Sequence, residues 1–258
     1  MTSILVAREA PPLLLHTMRL ADTMLVLGHR LSEWTGQAPM LEEELALANA
    51  ALDYIGQARS LYAYAATLEG KGRTEDDLAY LRDAPDWRNW LIAELPNGDF
   101  ARTVLRQFLV AAFLQPWWHA LAQSKDATLA AIAAKAEKEA AYHLRHAGEW
   151  VIRLGDGTAE SHRRMEAALE ELWSYTGEMF EADAADRALI EAGIVPDPET
   201  LRGAWADMVG RVLAEATLAM PGPAWMQSGG RRGVHTEHLG HLLAVMQHLP
   251  RSYPGAVW

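Results

Sequence analysis

The sequence predicts an all-α protein. Along the 258-residue chain, apolar residues recur at three- and four-residue steps, which is the period of an amphipathic helix. Clusters of glycine and proline separate these stretches, as expected where one helix ends and the next begins. A chain of this length can bury a sizeable core, so its folding needs neither a disulfide nor a structural metal.

Two long helices are predicted at the N-terminal end. The first spans about Leu13 to Trp34 and ends before Gly36 and Pro39. The second spans Glu42 to Leu68 and is closed by Gly70, a residue that favours the conformation of a helix C-cap. Because the connection is short, the two helices are antiparallel neighbours. One face of the second helix is predicted to carry Leu45, Ala48, Leu52, Ile55, Arg59, Tyr62 and Ala66.

A crossover connection is predicted from Lys71 to Asp99, where the helical pattern loosens. Thr74 and Asp77 have the spacing of a capping box, which predicts a short helix inside the connection. A turn is predicted at Pro96 to Gly98. The connection therefore links the second long helix to the third.

The second pair of long helices is predicted in the middle of the chain. The third helix spans Phe100 to Ala122, and we expect Pro116 to interrupt it and to kink it near Ala112, because proline removes a backbone donor. The fourth helix spans Asp126 to Leu154 and is stopped by Gly155 to Gly157.

Two long antiparallel pairs joined by one long crossover are the connectivity of the ferritin-like four-helix bundle. We therefore predict a single ferritin-like domain over residues 1–258, with its four-helix core at about 13–154. About three additional helices follow the core, at about Ala159 to Ala182, Pro198 to Leu218 and His235 to Leu249.

Composition excludes several classes of function. The net charge of −11, from 34 acids and 23 bases, would repel a nucleic acid, and no basic stripe opposes it. No apolar run is long enough to span a membrane. The chain has no cysteine, hence no thiolate ligand or disulfide, and its N-terminus lacks the pattern of a signal peptide. We expect a cytoplasmic protein that binds neither nucleic acid nor membrane.

Ferritin-like connectivity allows a test for a di-iron centre. Such a centre takes a carboxylate from each of two helices and a Glu-x-x-His pair from each of the other two. Asp22 is the only acid from Pro11 to Leu31, and the helical pattern places it beside the apolar face. No acid occurs from Phe100 to Lys125, so the third helix supplies no carboxylate. In the remaining two helices, Asp53 with Gly56 and Ala140 with His143 occupy positions that have the spacing of a Glu-x-x-His pair.

Glycine and alanine have no ligand atom, so both half-sites are degenerate. The sequence therefore predicts no metal site, no bound cofactor and no catalytic residue in this chain. An alternative is an independent ferritin-like oxidoreductase with a mononuclear or di-metal site. Glu139 and His143 would form that site with Asp53 or Asp22, since residues four apart share a helix face. We interpret Glu139 instead as a surface or interface acid.

Two other groups of residues have both a functional and a structural interpretation. His235, His238 and His241 form a cluster with Glu237, in which His238 and His241 have a helical spacing that could bind a metal. We favour a helix N-terminus that is capped by Thr236, with the histidines at a partly exposed interface. The segment Trp117 to His119 could line a cavity of a helical acyl-CoA-binding protein. Packing around the proline kink is the simpler interpretation.

Four blocks of the chain resemble one known family, the ferritin-like non-catalytic subunit of bacterial phenylacetyl-CoA monooxygenase, often called PaaC. The blocks occur in the same order and together span nearly the whole chain. They are Leu27 to Ala65, Leu95 to Phe108, Lys138 to Thr158 and His235 to Gly255.

The resemblance implies that catalysis and structural support belong to different subunits. A homologous catalytic subunit would carry the di-iron centre and the acyl-CoA thioester, and a reductase with a flavin and an iron–sulfur cluster would supply electrons from NADPH. A further small subunit would complete the assembly. This chain would lack iron ligands and stabilise the catalytic subunit, and we also expect a homodimer when it is isolated. The first two helices are the expected contact region, with Trp34, Tyr62 and Tyr64 as candidate interface residues.

Overall fold

The structure is a computed structural model that describes residues 10–256. All regular secondary structure in these residues is helical. Residues 10–96 and 228–256 belong to one compact unit, and residues 97–227 form the other. The all-α prediction is confirmed. The prediction of a single domain stays a prediction.

Eleven helices occur in the described part of the chain. They are α1 Pro12–Ser32, α2 Leu41–Glu69, α3 Glu75–Tyr80, α4 Leu91–Glu94, α5 Phe100–Leu121, α6 Ala127–Gly155, α7 Ala159–Trp173, α8 Ala184–Glu191, α9 Arg202–Glu215, α10 Glu237–Met246 and α11 His248–Ser252. Within residues 10–256, no helix is long and apolar enough to cross a membrane.

Local signals in the sequence place three boundaries between elements where they were expected. Gly70 takes the left-handed conformation at the end of α2, and its N–H donates to the carbonyl of Ala66. Thr74 and Asp77 form the predicted capping box at the start of α3. Gly98 has a φ of +63°, as the predicted turn requires.

Helices α1 and α2 pack antiparallel in the first unit. Asp22 of α1 contacts Tyr62 of α2, whereas Gly28 lies against Ala51 and Ile55. A Cβ atom at Gly28 would come within 2.8 Å of Ile55 Cγ1 and 3.1 Å of the Ala51 carbonyl oxygen. The absence of a side chain at residue 28 therefore sets the close approach of the two helices.

The predicted buried face of α2 is wrong. Leu45 and Leu52 are 57% and 66% exposed, and Tyr62 alone of the predicted set is buried. Leucines recur at helical spacing on two faces of α2, so the period alone does not identify the buried face. Helix α1 packs against the face on which small residues let the two helices come closest. The apolar residues buried along α2 are Leu47, Ala50, Ala51, Tyr54, Ala58, Leu61, Tyr62 and Ala65.

Helices α5 and α6 form the antiparallel pair of the second unit. Phe100 packs edge-on against Trp150, and Phe108 lies against Gly148. Helix α5 continues through Pro116 to Leu121, so the predicted interruption is wrong. Residues 103–114 of α5 are all buried, and this packing keeps the helix continuous although proline removes one backbone donor. The kink near Ala112 stays a prediction.

The later helices are shorter than predicted. The helix expected to reach Ala182 ends at Trp173, and α8 was not predicted. Asp183 starts α8, since its carboxylate accepts from the N–H groups of Ala185 and Asp186. A 3₁₀ turn precedes α9, which ends at Glu215, and the last predicted helix is divided into α10 and α11.

The close approach at Gly28 predicts a large effect of a single methyl group. Gly28→Ala should lower the free energy of unfolding by about 1–3 kcal/mol, because α1 and α2 must move apart. Gly210→Ala is the matched control, since a Cβ there meets nothing within 4 Å. The control should stabilise by about 0.5–1 kcal/mol. Urea unfolding measures both variants, and equal effects would contradict the packing described.

Candidate functional site

The main buried polar site of the first unit is centred on Asp22 of α1. The side chains of Asp22 and Arg82 are both 0% exposed, and Arg82 Nη2 lies 2.5 Å from Asp22 Oδ1. Arg82 Nη1 donates to Asp22 Oδ2 at 3.1 Å, so the guanidinium binds the carboxylate through both oxygens. The Tyr62 hydroxyl donates to Asp22 Oδ1 at 2.6 Å. Three distant parts of the sequence thus meet at one carboxylate.

The hydrogen-bonding capacity of the Asp22 carboxylate is fully used. Oδ1 accepts from Tyr62 and Arg82, and Oδ2 accepts from Arg82 and from the backbone N–H of Arg88 at 2.8 Å. A carboxylate offers about four lone-pair sites, and here each has a donor. No lone pair remains that could bind a metal ion without displacing a protein group.

The donors of Arg82 are also fully used. Its Nε donates to the carbonyl of Leu78, and Nη1 donates to the carbonyl of Asp86 as well as to Asp22. Its Nη2 donates to Asp22 and to the Tyr62 hydroxyl. The guanidinium also lies over the Trp87 ring, 4.6 Å from its centroid. All five N–H groups of this arginine therefore have acceptors inside the protein.

The charges in this network are a carboxylate and a guanidinium, and the phenol is neutral. Burial raises the pKa of Tyr62 well above its ordinary value, and the negative charge of Asp22 adds to the rise. Burial alone would lower the pKa of Arg82, but Asp22 and Tyr62 outweigh burial and raise that pKa. Arg82 thus stays charged as the internal counter-ion of Asp22.

The expectation that Asp22 flanks the apolar face is wrong, because Asp22 lies in the core. Residues 16–28 of α1 are all buried, so this helix has no solvent face over three turns where an acid could lie. The only signal in the sequence was a single acid within a long apolar stretch. Its partner Arg82 lies 60 residues away in the crossover connection, where no local pattern indicates the contact.

The four positions that were predicted to be degenerate ligand positions differ in their surroundings. Asp53 and Gly56 are half-exposed, and a Cβ atom at Gly56 would meet nothing within 4 Å. They therefore lie outside the buried face of α2, where Tyr62 contacts Asp22. Ala140 and His143 are buried on α6, each 2% exposed.

The alternative ligand Glu139 is half-buried on α6. Its carboxylate lies 3.4 Å from the ammonium group of Lys135, one turn earlier. Across residues 10–256, no three or more histidine, aspartate or glutamate side chains are grouped so that they could hold a metal ion. The residues around Asp22 do not fit an iron centre either, because protein donors already occupy the carboxylate.

The histidines near the C-terminal end do not act as one group. His235 Nδ1 lies 2.8 Å from Glu94 Oε2, and Nε2 lies 2.9 Å from the carbonyl oxygen of Trp87. His238 is half-buried, and His241 is exposed. The predicted cap by the Thr236 side chain is wrong, because the N–H of Thr236 instead donates to Glu94 Oε1 at 2.6 Å.

The Glu94 carboxylate is a second buried polar centre of the first unit. In addition to its contacts with His235 and Thr236, the carboxylate accepts a hydrogen bond from Asn89 Nδ2 at 2.8 Å. The backbone carbonyl of Glu94 accepts one from Arg30 Nη2 at 2.6 Å. Glu94 was not predicted as a site residue from the sequence, since all its partners except Asn89 are more than 60 residues away, in α1 and before α10. The contacts attach the segment before α10 to the crossover connection.

The tryptophans after Pro116 are core residues. Trp117 is 4% exposed and Trp118 is 0% exposed, and Trp117 stacks on Phe113 with ring centroids 5.6 Å apart. Packing therefore accounts for both rings. Among the candidate interface residues, Tyr62 is excluded by its burial beside Asp22, whereas Trp34 and Tyr64 are half-exposed.

Two antiparallel pairs of long helices and a crossover between them define a ferritin-like all-α protein. Residues 4–258 match the family described as Phenylacetic acid catabolic protein (PaaA_PaaC). The chain is also 50% identical over 243 residues to a subunit of the 1,2-phenylacetyl-CoA epoxidase of Escherichia coli (strain K12), and the match covers 94% of this chain and 98% of that protein. The chain belongs to the phenylacetic acid catabolic protein family, and the resemblance noted in the sequence is confirmed.

The buried ion pair predicts strong coupling between its two members. Arg82→Met should lower the free energy of unfolding by about 3–5 kcal/mol, because it leaves the Asp22 carboxylate buried without a counter-ion. The double variant Asp22→Leu/Arg82→Met should lose about 1–3 kcal/mol less than the sum of the two single losses. Additive losses would show that the pair does not act as a unit.

Arg163→Met is the control for this experiment. Arg163 forms an exposed pair with Glu160 at 2.8 Å, and its removal should leave the free energy of unfolding unchanged within error. Urea unfolding at neutral pH measures all the variants.

The raised pKa of Tyr62 predicts alkaline destabilisation. The folded protein keeps the phenolic proton where the unfolded chain loses it, so this stability is complete below pH 10 and falls as the pH rises further. The slope from this residue approaches about 1.4 kcal/mol per pH unit. In Tyr62→Phe, the free energy of unfolding should fall less steeply above pH 10. Urea unfolding across this pH range tests it, and identical slopes would refute the assignment.

Proposed function

We propose that this chain is the structural, non-catalytic subunit of a multicomponent 1,2-phenylacetyl-CoA epoxidase of phenylacetate degradation. Support comes from its family and from its relative of known name, which covers nearly the whole chain. In this proposal the chain pairs with a homologous catalytic subunit that holds the di-iron centre and the acyl-CoA. It contributes stability to that subunit rather than groups for the reaction.

The observation that carries the non-catalytic role is the complete occupation of the Asp22 carboxylate. A ferritin-like di-iron centre takes one carboxylate from each of two helices besides its two Glu-x-x-His pairs. The only acid of α1 is bound by Arg82, Tyr62 and the backbone of Arg88, and α5 contains no acid. Neither helix therefore offers a carboxylate to a metal. Arg82 neutralises the only acid of α1, and α5 has other residues where an acid would be needed.

Occupation by an arginine suits a structural subunit. A guanidinium supplies the positive charge that a buried carboxylate needs, but it offers no open coordination position at which oxygen could react. The chain can thus keep a helix arrangement like that of its catalytic homologue without binding iron.

The wider assembly follows from the same proposal. The other partners are a reductase and a further small subunit, and the isolated chain forms a homodimer. The complete lack of cysteine supports a reducing, cytoplasmic location.

Iron content and turnover test the proposed function. The chain should be purified alone from iron-supplemented cells, and also together with the homologous catalytic subunit. The chain alone should contain far less than one iron per molecule and should not consume phenylacetyl-CoA. The co-purified complex should contain iron and epoxidise the substrate. A full iron pair in the isolated chain, or turnover by it, would refute the proposal.

Glu139→Gln separates a structural role from a catalytic one within the complex. The change keeps the shape of the side chain and removes its charge, so the complex should retain its iron content and turnover within about twofold. Loss of turnover in an intact complex would assign chemistry to Glu139 and favour the independent metal site.

A further inference from the structure

A cavity lies in the first unit, between α3 and the C-terminal end of the described chain. Its volume is about 390 Å³, which is near the lower limit for pockets that hold small organic molecules. One wall belongs to α3 and the other to α11 and the residues after it. The side chains that matter for recognition are Asp76, Asp77, Tyr80, Pro250, Tyr253 and Pro254.

Hydrogen bonds fix the two walls of the cavity to each other. Gln247 Nε2 donates to the carbonyl groups of Ala79 at 3.2 Å and of Arg82 at 2.9 Å. Arg251 Nε donates to the carbonyl of Tyr80 at 3.0 Å, and its Nη2 donates to the carbonyl of Arg82 at 2.8 Å. A ligand would therefore enter a preformed cavity and would not have to order its walls.

A turn after α11 completes the second wall. The N–H of Ala256 donates to the carbonyl of Tyr253 at 3.2 Å, and Gly255 between them has a φ of +81°. This left-handed conformation favours glycine. The turn bends the chain at the position where Tyr253 and Pro254 line the cavity.

The two tyrosines give the cavity an aromatic wall on each side. Tyr253 is 60% exposed, so its ring is not needed in the core, and Tyr80 is half-buried. A tyrosine ring attracts an ammonium or guanidinium group through its electron-rich face. Pro250 and Pro254 add apolar surface against which an alkyl chain can pack.

The charges around the cavity also favour a cation. Asp76 and Tyr80 are four residues apart, so they share one side of α3. Burial raises the pKa of Tyr80, and the negative charge of Asp76 adds to the rise. The Asp77 carboxylate accepts from the N–H of Thr74 and remains a second negative charge. Among the described residues that line the cavity, none is basic.

We propose that this cavity binds an organic cation, namely an ammonium or guanidinium group on an alkyl stem. The positive charge lies beside Asp76 and between the rings of Tyr80 and Tyr253, and the stem packs along the prolines. A free polyamine and an arginine side chain of another protein share this chemistry. The site does not depend on the role in the epoxidase.

Isothermal titration calorimetry with the full chain tests the site, with N-acetylarginine amide and spermidine as the two cations. For probes of this size, a dissociation constant on the order of 1 mM is expected. N-acetylcitrulline amide is the matched control probe, because it has nearly the shape of the arginine probe but no charge. It should bind at least tenfold more weakly.

Variants of the cavity test its residues. Asp76→Asn removes a charge and should raise the dissociation constant of the cations at least threefold. Tyr253→Ala should do the same, whereas Tyr253→Phe keeps a ring and should change the constant less than twofold. Asp207→Asn is the control for lost charge, because Asp207 is exposed on α9 in the second unit, and its effect should be less than twofold. Circular dichroism should show that all variants fold.

Binding of either cation with these effects supports the proposal, and the tighter of the two identifies the source as a polyamine or a protein side chain. Three outcomes would overturn it: no binding of either cation at concentrations tenfold above the expected dissociation constant, equal binding of N-acetylcitrulline amide, and an unchanged constant in Asp76→Asn or in Tyr253→Ala. None of them would alter the iron content or turnover that tests the proposed function.

Discussion

The buried ion pair between Asp22 and Arg82 holds together three segments of the first unit. It joins α1, α2 and the crossover connection at one carboxylate whose four acceptor sites are all used. Isolated buried charges are costly, and two charges are tolerated here because each donor and acceptor has a partner. The crossover connection is therefore held by a specific electrostatic contact as well as by apolar packing.

In the function that we propose, the same contact takes the place of a metal in holding the helices of a ferritin-like chain. In a di-iron protein the cations neutralise the inward-facing carboxylates, whereas here an arginine from the crossover connection neutralises the only acid of α1. The Tyr62 hydroxyl completes the site from α2. A fixed guanidinium gives rigidity, but it cannot change its coordination or its redox state. These properties suit a subunit that stabilises a catalytic homologue.

The sequence was sufficient for the features that depend on local patterns. Helix periodicity, the C-cap at Gly70 and the capping box at Thr74 each involve neighbouring residues. The buried face of α2 was not predictable in this way, because leucines follow a helical period on both the covered and the exposed side. The burial of Asp22 depends on Arg82, which is distant in sequence and becomes a neighbour only in the fold. Asp53 and Gly56 were predicted to be degenerate ligand positions by their spacing alone, and the structure places both outside the helix face that contacts Asp22.

The most direct test of this account is anomalous diffraction at the iron edge from crystals of the chain grown with ferrous iron. If Arg82 occupies the Asp22 carboxylate, no anomalous density should lie within bonding distance of Asp22, and the pair between Asp22 and Arg82 should be intact. An iron peak bound to Asp22, with the Arg82 side chain displaced, would contradict it.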